Sequence, residues 1–572
     1  MKRTVKVCAC INEISPLHIA RNAETAISEI EKNKESSADL YILPPLFLTG
    51  GELGSLRSRK SFISACEKEL EAIAAYFNKE KFSVLAGIPG EGGQIRLAFL
   101  SGGRIKYDYD GLLSFEVQGN KCTAAAGGEQ GFARSAEIAT TSTDIFILCD
   151  YSPAVAGVDR IIESNILSFS RTMGISCCFV RGGRGDTSFP DAYRAAVGFC
   201  RDGNEVKFYK GEDAFGACTS LGGVLSEQPS SPVIDLPRIK PFSLPVEVQK
   251  HPFIPLGERE DLYCLDVFDL QCLSLANRLH NLKLKKVVIG VSGGLDSCLA
   301  LMVCVGAMQK LGLANDNIIA LLLPGFGTSG RTLENARTLC AGVGATIREI
   351  DIRPAVNATF SSIEHDENIH DVVFENAQAR QRTAVALNVA NQVHGIMVGT
   401  GDLSEEALGF STYGGDQLAS YNVNVCIPKS LIRVMLPIVA TLEMFANIGS
   451  SVQDILDTPV SPELLPLDEN KEIAQKTEEI LAPYELLDFY LYCFVAARLS
   501  RAKILELATR YFGNEHTPEY LAQKLDLFLR RFLSGQFKRN CAPEAARITS
   551  VHLLQGGMQL PSDTPADVLQ LL

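Results

Sequence analysis

The run KKVVIGVSGGLDSCLALMVCVGAMQK, residues 285 to 310, constrains the fold more than any other part of this 572-residue chain. It reads as a buried strand, Val287 to Val291, then a glycine turn and a helix of small and apolar residues. Ser292, Gly293 and Gly294 would present backbone N–H groups at a helix N-terminus, where the dipole favours a phosphate. Glycine is needed there because a side chain would block close approach. No lysine closes the loop, so it is not the G-x-x-x-x-G-K-[ST] phosphate cradle. Taken alone, the six residues SGGLDS also fit a plain strand-to-helix turn with an N-cap serine.

Later strands repeat the arrangement. Ile318 to Leu323 runs into PGFGTSGRT, Thr346 to Ile350 ends at Asp351, and Ile396 to Val398 ends in GTGDLSE. In open α/β sheets ligands collect at the carboxyl edge, so these segments are expected to converge on one crevice with SGGLDS, in a doubly wound parallel sheet. For Asp351 a solvated loop fits equally well.

Upstream, β-branched runs alternate with amphipathic helices, with candidate strands at Val5 to Ile11, Asp39 to Leu43, Phe82 to Ile88, Asp144 to Cys149 and Ile175 to Val180. The Ser- and Pro-rich stretch 226 to 255 cannot carry a long helix. Three regions follow: a layered α/β domain over 1–240, a linker over 241–257 and a second domain over 258–572, opened by a helix from Glu258 to Asn281. The length alone asks for two cores.

Composition removes several classes of function. A net charge of −13 gives no basic surface for a polyphosphate backbone, so a nucleic-acid partner is not expected and phosphate must be held locally. No apolar run approaches the length that spans a bilayer, and the first residues lack a secretory core, so a cytoplasmic location without membrane contact is expected. The 17 cysteines show no paired C-x-x-C spacing and read as reduced thiols.

LPGFGTSGRTLENA (323–336), HDVVFENAQARQRT (370–383), VGTGDLSEEALGFSTYGGD (398–416), NVCIPKSLIRV (424–434), DTPVSPELLP (457–466) and SGQFKR (534–539) together resemble NAD synthetase, while SGGLDS resembles the loop of the ATP-pyrophosphatase class. The resemblance covers most of residues 260 to 545. It implies ATP contacts from Gly290, Val291, Ser292, Gly293, Gly294, Leu295, Asp296, Ser297 and Thr400, with Lys429 meeting the phosphates. It implies deamido-NAD contacts from Asn376, Glu405, Phe410, Ser411, Thr412, Tyr413 and Lys538, and Mg²⁺ shared by Asp296 and Glu405. Taken by themselves, Glu405 also fits a helix-start carboxylate and Lys538 a solvated cation. The implied reaction adenylates the carboxylate of deamido-NAD with ATP and then amidates it, releasing pyrophosphate and AMP. Water must be kept from the adenylate, and the loop between Arg353 and Asn368 is the candidate lid. At least a homodimer is implied. Other members of the loop class, among them tRNA-thiolating enzymes, would want a basic face. A catalytically silent scaffold would be expected to have lost at least one of these motifs.

The N-terminal region, from VKVCACINEISPLHIARNAE through LYILPPLFLTGGELG to DIFILCDYSP, resembles the nitrilase-type glutaminase domain that feeds ammonia to NAD synthetase, which implies an α-β-β-α sandwich. That chemistry needs a glutamate base, a lysine and a nucleophilic cysteine. Cys149 matches the cysteine, Pro45 stands at the glutamate position, and the lysine position falls near Asp110 and Gly111, with Lys106 and Lys121 nearby. The expectation is an inactive amidase domain, Cys149 a small core residue, and free ammonia as nitrogen donor. Glutamine use through an active Cys149 is the alternative.

Overall fold

The computed structural model describes residues 4–562, apart from 91–93, 109–110, 128–142, 188–189, 222–247, 256–259, 459–480 and single positions within 52–58, 202–215 and 555–559. Most of the Ser- and Pro-rich stretch, the DTPVSPELLP motif from residue 459 onward and Asp110 lie outside the described residues. The chain forms two compact units, Met1–Thr187 with Asp191–Leu244, and Ser188–Pro190 with Pro245–Leu572.

The first unit holds two six-stranded sheets. One has the order β12-β1-β2-β3-β4-β5, built from β1 (Val5–Ala9), β2 (Leu40–Pro45), β3 (Ser83–Pro89), β4 (Ile95–Ser101), β5 (Arg104–Tyr107) and β12 (Cys218–Leu221). The other has the order β11-β10-β9-β8-β7-β6, from β6 (Leu112–Val117), β7 (Asn120–Ala126), β8 (Ile145–Asp150), β9 (Ser176–Arg181), β10 (Ala196–Cys200) and β11 (Val206–Lys210). Period-two alternation sorts each strand between two cores. Ile145, Ile147 and Cys149 join Val5, Val7 and Ile42 in the core between the sheets. Phe146 and Leu148 pack outward with Ile162 and Ile166 of helix α3 (Val158–Met173). Tyr41 and Leu43 meet Ala26 and Ile30 of α1 (Ile19–Lys32) and Leu70 and Ile73 of α2 (Lys60–Tyr76). The result is the four-layer α-β-β-α sandwich expected of a nitrilase-like domain. All five candidate strands form, within two residues at either end. The other seven strands are hairpin partners and edges such as RIKY and LLSFEV, whose apolar residues are too few or too evenly spread to stand out. One expectation fails here: Cys8 and Cys218, paired in register across antiparallel β1 and β12, form a disulfide, so the cysteines are not all thiols. The pairing joins residues 210 positions apart, which spacing along the sequence cannot reveal.

The second unit is built on a five-stranded parallel sheet, β15-β14-β13-β16-β17, from β13 (Lys286–Gly290), β14 (Ile318–Leu322), β15 (Thr346–Glu349), β16 (Gly395–Gly399) and β17 (Tyr421–Asn422). This is the doubly wound order. It reverses between β13 and its neighbours, which opens a crevice at the carboxyl ends of β13 and β16. The helix following β13, Leu295–Lys310, is buried at 13 of its 16 positions, as its apolar composition demands. A helical group beyond the sheet packs Leu403, Leu408, Tyr484, Leu487, Phe512, Leu525 and Phe528 into a second core. No helix among the described residues is long and apolar enough to cross a membrane.

Two sequence expectations are corrected in this unit. Of the loop proposed as a lid between Arg353 and Asn368, the first part is a helix, Arg353–Ser362, begun by Pro354 in its first turn, and the rest is a turn. The edge strand β15 does not bring Asp351 to the crevice: its carboxylate is exposed and paired with Arg353 at 2.7 Å, so the solvated-loop reading holds.

Candidate active site

After β13 the chain turns through Ser292, Gly293 and Gly294 into the helix Leu295–Lys310. Gly293 has φ +86°, and a Cβ there would lie 2.4 Å from the carbonyl oxygen of Thr332, so both conformation and close approach require glycine. The Ser292 and Ser297 hydroxyls lie 3.2 Å apart, Ser297 Oγ donates to the Gly294 carbonyl at 3.0 Å, and Gly294 N–H donates to Ser292 Oγ at 3.3 Å. The two serines expected to meet phosphate therefore also close the loop on itself.

The loop after β16 enters the helix Leu403–Leu408 through Asp402, whose Oδ1 accepts from the N–H groups of Ser404 (2.7 Å) and Glu405 (3.0 Å). Its other oxygen turns to Lys429. The Lys429 ammonium is buried and lies 2.6 Å from Asp296, 2.6 Å from Asp402 and 3.1 Å from Glu405. Burial works against the ammonium, but the three carboxylates outweigh it and hold Lys429 well above the usual lysine range. Burial pushes Asp296 up to about 6 and Glu405 well above the carboxylate range, against the pull of Lys429. Burial raises the two carboxylates and their mutual repulsion adds to it, because Asp296, Asp402 and Glu405, of which only Asp402 is fully buried, share a single cation.

Asparagines and an aspartate fasten these loops together. Asn424 Nδ2 donates to the carbonyls of Asp296 (2.9 Å) and Thr400 (3.2 Å), and Asn422 Nδ2 to that of Gly401 (3.0 Å). Asp488 accepts from Ser404 Oγ at 2.5 Å and from Ser430 N–H at 3.0 Å, tying the start of Leu403–Leu408 to the start of helix Lys429–Val439. Burial raises Asp488 to about 6 despite these bonds.

The crevice is a cleft of about 320 Å³, and its walls include the whole Gly290–Ser297 loop, Thr400, Glu405, Phe410, Ser411 and Lys429. Arg382, Glu406, Asp416, Asn422 and Tyr484 add to its polar lining. Of the four strand ends expected to converge, those of β13, β14 and β16 do so. Asn376, Thr412, Tyr413 and Lys538 stand behind this wall. Thr412 Oγ1 donates to Asn376 Oδ1 (2.8 Å), and Tyr413 is exposed with its ring against Phe537. Lys538 is no solvated cation: it donates to the carbonyls of Gly409 (2.7 Å) and Ser411 (2.5 Å) and so braces the Phe410–Ser411 wall. Lys429 lines the cleft and faces the three carboxylates. Sequence reasoning missed Asp402, Asn422, Asn424, Glu406, Tyr484 and Asp488. Only Asp402 left a signal, since D-L-S-E just after a strand is a helix N-cap pattern.

In the first unit Cys149 lies within β8, between Ala126 on β7 and Val180 on β9, and is 1% exposed. Burial, with Asp150 adding to it, pushes its thiol up to about 12. Pro45, at the end of β2, offers no proton acceptor. Lys106 is exposed and donates to the Ser114 carbonyl, and Lys121 is exposed. Beside Cys149, Asp150 is buried and accepts from Ser152, while Arg181 and Arg194 converge on buried Asp159 at 2.5 and 2.7 Å.

Comparison with known proteins agrees with this geometry. Residues 267–516 match the family model described as NAD synthase. A glutamine-dependent NAD(+) synthetase from Mycobacterium leprae is 36% identical over 348 residues, covering 56% of this chain and 51% of the relative. The chain thus spans about half the length of that relative. A relative of the same name from Xylella fastidiosa aligns over 93% of both chains at 23% identity. The crystal structure of a glutamine-dependent NAD(+) synthetase from Cytophaga hutchinsonii superposes with a TM-score of 0.74 over 100% of this chain and 99% of that one, at 13% identity, so the two-unit fold is shared. Residues 267–516 thus match the NAD synthase family model, and the chain as a whole is similar to glutamine-dependent NAD(+) synthetases.

Proposed function

We propose that the second unit is an ATP-dependent ligase that converts deamido-NAD to NAD. The observation that carries the reading is the Asp296, Asp402 and Glu405 triad at the carboxyl edge of β13 and β16, beside the glycine loop. The donor set is all oxygen, and Asp296 Oδ1 is buried without a hydrogen bond, so the triad suits a hard divalent cation such as Mg²⁺. Bound there, Mg²⁺ would offset the charge that develops on the leaving pyrophosphate. The chain's own part is positional. N–H groups at the start of Leu295–Lys310 cradle the phosphates, and Phe410 and Ser411 wall the side where the nicotinate carboxylate approaches the α-phosphorus of ATP. Pyrophosphate leaves, ammonia attacks the acyl carbon of the adenylate, and AMP departs.

Ammonia is the direct nitrogen donor in this reading, and the first unit is an inactive amidase kept for assembly. A Cys149 thiol that burial holds far above neutral pH, with no base at Pro45, favours it. The same reading includes a cytoplasmic homo-oligomer. The test is NAD formation from deamido-NAD and MgATP with glutamine or ammonium, in wild type and Cys149→Ala. Ammonium-only turnover, indifferent to the substitution, is the expected result. Efficient glutamine use abolished by it would overturn the donor assignment, and no pyrophosphate release with any donor would overturn the ligase itself.

A further inference from the structure

The Glu406 carboxylate is left over by the site as described. Glu406 is 6% exposed and lines the cleft one residue along the helix from Glu405. No described residue donates a hydrogen bond or forms an ion pair with its carboxylate. The cation nearest in influence, Arg539, donates from Nη1 and Nη2 to the carbonyls of Glu406, Ala407 and Phe532 and to Gln536 Oε1, while its Nε donates to no described residue. A carboxylate on a largely buried side chain without a protein donor is costly unless water or a ligand meets it, and its place on the cleft wall makes Glu406 available to one.

The surroundings restrict what arrives. Asp402 and Asp416 add negative charge near Glu406 against Arg539 and Lys538, so a phosphate of the dinucleotide is disfavoured at this point. A divalent ion wants several oxygens at once, and Glu406 lies outside the Asp296, Asp402 and Glu405 group. A small monovalent cation with N–H donors satisfies the carboxylate with one charge and one or two hydrogen bonds. We propose that Glu406 is the ammonium-binding carboxylate of the cleft, drawing the cationic form of the nitrogen donor from solution and holding it next to the carboxylate-activating centre. This rests on the amide-forming reading above.

The test uses the full chain with ammonium chloride as sole nitrogen source. Glu406→Gln keeps the shape and removes the charge. The expected result is an apparent KM for ammonium raised tenfold or more. ATP–pyrophosphate exchange with deamido-NAD, run without ammonium, changes less than threefold, and Glu406→Asp recovers part of the loss. An unchanged ammonium KM, or a rise confined to deamido-NAD, would overturn the inference while leaving the ligase standing. Absence of exchange in wild type would remove both. A second measurement covers a variant that folds poorly. In wild type at fixed ionic strength, potassium chloride should raise the ammonium KM and tetramethylammonium chloride, too large for the pocket wall, should not. Equal effects of the two salts would overturn the assignment.

Discussion

Replacing Lys429 with methionine separates the two claims made for the acidic triad, that it is short of positive charge and that a divalent ion can supply it. The side chain is 1% exposed, so the substitution removes a charge without opening a solvent channel. Three carboxylates then share a buried pocket with no cation. Removing one partner of a buried ion pair costs about 3–5 kcal/mol, because the charge left behind is uncompensated. For domains of 150–250 residues each kcal/mol moves the thermal midpoint by about 2–4 °C, and the larger second unit should respond at or below the lower end of that range. The expected drop is therefore at most about 6–10 °C in EDTA. Magnesium at a hundredfold its dissociation constant restores about 2.7 kcal/mol. The variant should recover much of the loss, and its midpoint should depend on magnesium more steeply than that of wild type, where Lys429 already neutralises part of the cluster. The chain has no tryptophan, so calorimetry is the suitable assay. A midpoint in EDTA within 2 °C of wild type would refute the charge-shortage argument, and equal magnesium shifts in both proteins would refute the metal assignment.

Three further outcomes are expected. Asp296→Asn should lose nearly all NAD formation at saturating Mg²⁺ while circular dichroism stays unchanged, since its carboxylate faces Lys429 and the cleft; near-normal turnover would discard its metal role. Lys538→Ala should raise the KM for deamido-NAD several-fold with a smaller effect on ATP, because the carbonyls of Gly409 and Ser411 lose the cation that braces them; an ATP-specific effect would reverse that placement. Burial lowers His552 to about 4 in the folded chain, below its unfolded value, so its contribution to stability is full above about pH 6.5 and lost as pH falls toward 4. His552→Gln should flatten the fall in thermal midpoint across that window, and a parallel pH profile would count against the assignment.

How far the sequence could be read depended on whether a feature was local. The strands β1, β2, β3, β8, β9, β13, β14 and β16 are buried runs of β-branched and apolar residues, legible because their burial is continuous along the chain. Strands such as Arg104–Tyr107, half in solvent, owe their existence to the hairpin partner beside them, which no window of sequence contains. The disulfide between Cys8 and Cys218 depends on β12 returning to β1, a fact of topology.

The same distinction runs through the site. The glycine loop and Glu405 stood out because their chemistry and their local geometry coincide in one motif. Lys429 was placed on the cleft but its carboxylate partners were not foreseen: the motif carries the position of the ammonium, whereas its orientation follows from Asp296, Asp402 and Glu405, 24 to 133 residues away. Asn424 and Asp488 were invisible for a stronger reason. Neither faces the cleft wall as a reactive group; each acts on backbone or serine atoms brought close only by the doubly wound sheet. A motif records what touches the ligand. The groups that hold the motif still are chosen by tertiary hydrogen bonding, and in this unit Asn424 and Asp488 tie the glycine loop and the acidic helix to their neighbours.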